Sequence, residues 1–94
     1  MQKEDFLKKL ETELKIAKNS EYTIRNYINA NERLIDFIEK SPDQITTDDT
    51  KLFIAENLTD KAATSIILFL AAIKYASITI FNTDITAPIK RPKK

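Results

Sequence analysis

Cysteine, histidine and glycine are all absent from this chain of 94 residues. Without cysteine there are no disulfides and no thiolate metal sites, and without histidine the commonest general base and the commonest neutral metal ligand are gone. Most hydrolytic chemistries thereby lose a key group. Average usage would put about six or seven glycines in a chain this long, so a Gly-rich phosphate loop is excluded as well. The longest strongly apolar stretch, residues 66–81, is 16 residues long and contains Lys74, short of the roughly 18 to 20 that span a bilayer. It reads as a buried helix, and no membrane partner is expected. The charged opening Met1-Gln2-Lys3-Glu4-Asp5 has no apolar run behind it, which predicts no signal peptide and a cytoplasmic protein. No cofactor and no metal site is expected.

What is present suits one soluble domain: 43% hydrophobic and 31% charged residues, in a length with room for a single core. The net charge of +1 hides an uneven distribution. Residues 1–40 sum to zero, residues 41–89 to −3, and the last five, with Lys90, Arg91, Lys93 and Lys94, to +4. A mildly acidic body with a basic tail argues against a strongly electrostatic nucleic-acid binder, so local patches must carry any such function.

Apolar periodicity predicts an all-α fold, a compact four-helix bundle with a basic C-terminal linker. Phe6, Leu7, Leu10, Leu14 and Ala17 mark a first helix over residues 4–18. Asn19 suits the left-handed residue that ends it, and Ser20 caps the next helix. That second helix carries Ile24, Tyr27, Ile28, Asn31, Leu34, Ile35 and Ile38 on its stripe before Ser41-Pro42 stops it. Thr46 with Asp49 forms a short-armed capping box for a third helix over residues 47–58, expected to bury Leu52, Phe53 and Ile54. Thr59 and Asp60 supply the cap of a fourth helix, residues 60–81, apolar around most of its circumference and hence central. Residues 1–88 form the domain, and residues 89–94 a linker that Pro88 and Pro92 hold extended. A chain ending on Pro-Lys-Lys has the form of a piece from something longer.

Ser20, Thr23, Arg25, Asn26 and Asn29 cluster at the start of the second helix. Hydroxyls, amides and a guanidinium at that place take phosphate oxygens and base edges, although the same residues suit a plain solvated face. The stretch Asn19-Ser20-Glu21-Tyr22-Thr23-Ile24-Arg25-Asn26-Tyr27, with Phe37 ten residues later, resembles the opening of the core-binding domain of tyrosine recombinases and phage-type integrases. Ile45-Thr46-Thr47-Asp48-Asp49 with Phe53 is similar to that family's Ile-Thr-Pro-Glu-Asp…Phe helix. Leu70-Ala71-Ala72-Ile73-Lys74 is similar to its Leu-Ser-Ala-Leu-Arg, and Ile89-Lys90-Arg91-Pro92-Lys93 to its Ile-Lys-x-Pro-Lys exit. The pieces fall in the family's order and cover nearly the whole chain.

The resemblance implies a SAM-like bundle that clamps duplex DNA at a recombination half-site, in DNA integration and recombination. Its partners would be double-stranded DNA, the catalytic domain of the same parent protein and other recombinase protomers. It implies DNA contacts from Ser20, Thr23, Arg25, Asn26 and Asn29, from Lys61, Thr64, Ser65 and Lys74, and from the tail residues Lys90, Arg91, Lys93 and Lys94, with Tyr27 and Phe37 in the core. Leu68 and Phe69 stand where the family commonly has two arginines, and Asp84 where it has the asparagine of an Asn-Pro turn. Either the absent catalytic half supplies the missing contacts, or Leu68 and Phe69 serve a contact between protomers. The family's chemistry needs an Arg…His-x-x-Arg set and a tyrosine nucleophile; with no histidine that site is not in this chain, and no residue here is expected to be catalytic. Tyr22, Tyr27 and Tyr75 read as packing residues, and Asp48-Asp49 as a helix-terminal acidic turn instead of a metal site. The competing reading is a helical protein-interaction module that docks through the apolar fourth helix, for which Leu68 and Phe69 would form an exposed patch beside Lys74.

Overall fold

Four apolar stripes become four helices in the computed structural model, which describes residues 1–92: α1 (Lys3–Ile16), α2 (Glu21–Ile38), α3 (Thr47–Asn57) and α4 (Ala63–Phe81), with a 3₁₀ turn at Pro42–Gln44. No strand occurs among the described residues. The fold is all-α, as the periodicity predicts.

α2 and α4 form the central pair, and each contributes to two apolar clusters. On one side Phe6, Leu10 and Leu14 of α1 pack with Ile35 and Ala76. On the other, Phe53 of α3 and Leu58 pack with Leu34, Phe69, Leu70, Ile73 and Ile89. Ring pairs reinforce both: Phe6 stacks on Phe81 at 5.8 Å, and Phe53 stacks on Phe69 at 4.9 Å. Between the clusters Asn31 is buried, its amide nitrogen donating to the Tyr27 carbonyl at 2.8 Å and across to the Ala72 carbonyl at 3.2 Å. This polar bridge fixes the register of α2 on α4, because a buried amide left without acceptors costs about 1–3 kcal/mol.

Helix ends depart from the expected boundaries for local reasons. α1 closes in a Schellman motif: the Asn19 N–H donates to the Leu14 carbonyl at 3.1 Å and the Lys18 N–H to that of Lys15 at 3.0 Å. The left-handed residue is Lys18, at φ 60°, and not Asn19; the Asn19 side chain instead gives Leu14 a second donor. Glu39 and Asn82, both at φ 59°, stand after α2 and α4. With no glycine available, side chains occupy the left-handed positions at a cost of about 1–2 kcal/mol each. α4 starts at Ala63, and its N-cap Ala62 makes no side-chain bond. Thr59 and Asp60 do not cap it, since the Thr59 hydroxyl turns back to the Ala55 carbonyl and burial of Leu58 draws this turn into the core. At 19 residues α4 is long and apolar enough to cross a membrane by length and composition, in contrast to the shorter run read from the sequence. Here one face of it packs into the bundle, with Phe69, Leu70, Ala72, Ile73, Ala76 and Ser77 buried, and about a third of the helix is buried in all.

Three expected core positions are not buried. Leu52 is 50% exposed, since the buried face of α3 runs through Thr50 and Phe53 and Leu52 lies one residue, about 100°, off it. Phe37 is exposed, its ring edge set against Phe53 at 5.4 Å. Tyr27 is half-buried, tilted against Tyr75. The segment after α4 also differs from an extended linker. It folds back through turns, Thr86 is fully buried, and Ile89 enters the α3 side of the core. The Thr47 hydroxyl donates to the Ile85 carbonyl at 2.6 Å, tying this segment to the start of α3.

The capping box of α3 forms as predicted. Thr46 accepts from the Asp49 N–H, and Asp49 accepts from the Thr46 N–H, each at 3.1 Å. The Lys40 ammonium, donating to Asp49 at 2.8 Å, is the main cause that holds its carboxyl below the usual range; burial opposes this and the Thr46 bonds assist. A carboxyl depressed in the folded state contributes stability above its unfolded value, about 3.9, and loses it as pH falls through the folded value. Asp49→Ala is therefore expected to lower stability by about 1 kcal/mol at neutral pH, with a deficit that closes as pH falls from about 4 towards 2. Urea titrations of both proteins across that range measure it; a deficit unchanged at low pH assigns the effect to something other than the charge.

Candidate nucleic-acid interface

Tyr22, Asn26, Asn29 and Arg33 recur at four- and three-residue steps, so they share one face of α2. That face points away from the buried Asn31, Leu34 and Ile35. Beside it the turn before α4 and the first turns of α4 bring up Lys61, Ser65 and Leu68. Together they line a groove of about 490 Å³ floored by Tyr27, Ala30, Leu58 and Phe69. Two cations, two primary amides and hydroxyls line it, and no acidic side chain does.

Of the residues expected from the sequence, the structure gathers Thr23, Asn26, Asn29, Lys61 and Ser65 into this groove. Ser20, Arg25 and Thr64 are exposed outside its lining. Ser20 acts as the N-cap of α2: it accepts from the Thr23 N–H at 3.2 Å, and the two hydroxyls bond each other at 3.1 Å. A local structural role thus accounts for both hydroxyls. Lys74 is exposed about half a turn round α4 from Ser65, outside the groove.

Lys74 and Arg91 instead bring positive charge near Asp84. Burial pushes that carboxyl up, but the Thr86 hydroxyl at 2.7 Å and the Thr86 N–H at 2.8 Å, together with the charges of Lys74 and Arg91, hold it below the usual range. The Arg91 guanidinium in turn donates to the Thr86 hydroxyl oxygen at 3.2 Å. Asp84 thus stays ionised, and its hydrogen bonds to Thr86 hold the chain's path after α4. Lys90 is exposed beyond the buried Ile89, and Lys93 and Lys94 lie outside the described residues.

The sequence reading missed Arg33 and Tyr22. Arg33 is exposed and set 5.7 Å from the Phe53 ring centroid, which orients its guanidinium beside the groove. The steps 22, 26, 29 and 33 carried the signal, because both residues share the face of the asparagines already selected. Tyr22, 70% exposed, stands at its edge. Leu68 and Phe69 divide: Phe69 is 6% exposed and part of the core, and Leu68 is 58% exposed in the groove wall. They do not form the joint apolar patch beside Lys74 that a docking module would present.

The family model of the phage integrase N-terminal SAM-like domain matches residues 6–84. That leaves five residues before the match and ten after it. No curated protein and no solved structure matches the chain.

Proposed function

Because the chain belongs to the phage integrase N-terminal SAM-like domain family, whose members are DNA-binding domains of recombinases, we propose that it clamps duplex DNA at a recombination half-site. A catalytic domain of the same parent protein closes the other side of the duplex, further protomers occupy the neighbouring half-sites, and the protein works in the cytoplasm. The observation that carries this reading is the acid-free groove between α2 and α4, with Arg33 and Lys61 among amides and hydroxyls. In a body whose middle segment is acidic, a local concentration of donors of this kind is what binding to phosphate and base edges requires. The tail cations extend the interface along the backbone.

Binding by the isolated domain is expected to be weak, with a Kd on the order of 10⁻⁴ to 10⁻⁶ M at physiological salt. Neutralising Arg33 and Lys61 together, as Arg33→Gln with Lys61→Gln, is expected to weaken it about tenfold at low salt and to reduce the log-log salt slope by about two, because each cation neutralises about one phosphate. Fluorescence anisotropy on a labelled duplex at several salt concentrations reads both quantities. An unchanged slope removes the groove from the interface, and no binding by the parent domain at low salt removes the DNA-binding reading itself.

A further inference from the structure

We infer that the groove between α2 and α4 distinguishes A·T from other base pairs, with Asn26 and Asn29 directed at adenine and Leu68 at the thymine methyl group. The inference rests on the DNA-binding reading and adds which bases the site prefers. Other asparagines of this chain serve the fold: the amide of Asn19 bonds the Leu14 carbonyl, that of Asn57 the Phe53 carbonyl, and that of Asn31 joins α2 to α4. Asn26 and Asn29 are exposed in the middle of a helix, and neither side chain has a hydrogen bond among the described residues. Asparagine is a poor residue for a helix interior, so these two reduce helix stability without a structural return. Their amides are left with a donor and an acceptor each, the pair that matches adenine N7 and N6 in the major groove.

Leu68 supplies the second half of the argument. It is 58% exposed, yet it sits in the wall of the same groove as both asparagines and the two cations, and not on a separate apolar face. Thymine alone among the four bases presents a methyl group in the major groove, and an apolar side chain is its complement. An amide for adenine and a branched aliphatic side chain for its partner address one base pair from both strands. The lining has no carboxylate, the group that would accept from cytosine N4. Arg33 and Lys61, the two cations of the lining, can bond guanine as well as phosphate, and the inference assigns them to phosphates.

The test uses the full chain and three labelled probes: an alternating dA-dT duplex, the same duplex with deoxyuridine in place of thymidine, and an alternating dG-dC duplex. Affinity for the first is expected to exceed that for the third about fivefold or more. Loss of the methyl group in the second is expected to lower affinity about twofold to threefold. Leu68→Ala, folded by circular dichroism, is expected to bind the thymidine and deoxyuridine duplexes equally, and Asn26→Ala with Asn29→Ala to remove the preference over dG-dC. Equal affinity of the parent chain for all three duplexes overturns the inference and leaves the DNA-binding reading intact. A preference for dA-dT indifferent to both the methyl group and Leu68→Ala also overturns it, since that is recognition of groove shape. Binding to none of the three overturns the functional reading first, and with it this one.

Discussion

Leu70→Ala is expected to destabilise the domain by about 3–5 kcal/mol, whereas Leu68→Ala, two residues earlier on the same helix, is expected to change stability by less than about 0.5 kcal/mol. Leu70 has no exposed surface and sits among Leu34, Phe53, Phe69 and Ile73. Shortening it removes buried apolar surface and leaves a cavity that neighbours on three other elements cannot collapse to fill. Chains of this length have a total stability of about 5–14 kcal/mol, so this one change consumes a large part of it. Leu68 faces the groove and solvent, so its truncation removes little buried surface. Denaturant titrations with circular dichroism compare the two. Similar losses for both would show that Leu68 is a packing residue and would remove the groove wall on which the proposed base recognition depends.

The second large effect lies at the end of the chain, where two truncations differ by one residue. A chain ending at Ile89 is expected to keep its fold, losing only the part-buried bond from Arg91 to Thr86, worth about 1 kcal/mol or less. A chain ending at Pro88 also loses the Ile89 side chain, 9% exposed in the cluster that joins α2, α3 and α4, and is expected to lose a further 2–4 kcal/mol or so. Both lack the four cations after Ile89, and both are expected to bind DNA about tenfold more weakly at low salt where they remain folded. Thermal melts separate the first effect and anisotropy the second. Equal stability of the two truncations would mean that Ile89 contributes nothing to the core. Undiminished DNA affinity in the chain ending at Ile89 would confine binding to the groove.

Apolar spacing and capping chemistry determined much of this protein without any tertiary information. The stripe Ile24, Ile28, Asn31, Leu34, Ile35 and Ile38 made α2 legible because a helix repeats every 3.6 residues whatever it packs against. Ser20 and the Thr46–Asp49 box were legible because a cap is an interaction over three residues. The absence of histidine was equally legible, being a matter of composition alone. Of the groove, Thr23, Asn26, Asn29, Lys61 and Ser65 could be selected from the resemblance of their segments to a recombinase core-binding domain.

Tertiary structure decided what periodicity leaves open, namely which of several apolar neighbours turns inward. α4 is apolar nearly all round, so no sequence pattern could separate Phe69 from Leu68; the position of Phe53 beneath α4 did so, at 4.9 Å from the Phe69 ring. The same packing surface left Leu52 in solvent and drew Leu58 and Ile89 inward from segments with no stripe of their own. Burial of an isolated residue in a turn depends on chain segments distant in sequence, as the Thr47 hydroxyl holding the Ile85 carbonyl does for the approach to Ile89. The groove followed the same rule. Arg33 lay on a legible face of α2, but its place in one groove with Lys61 came only from the packing of α2 beside the turn that precedes α4. The bond of Arg91 to Thr86, outside the groove, likewise came from the folding back of the chain after α4.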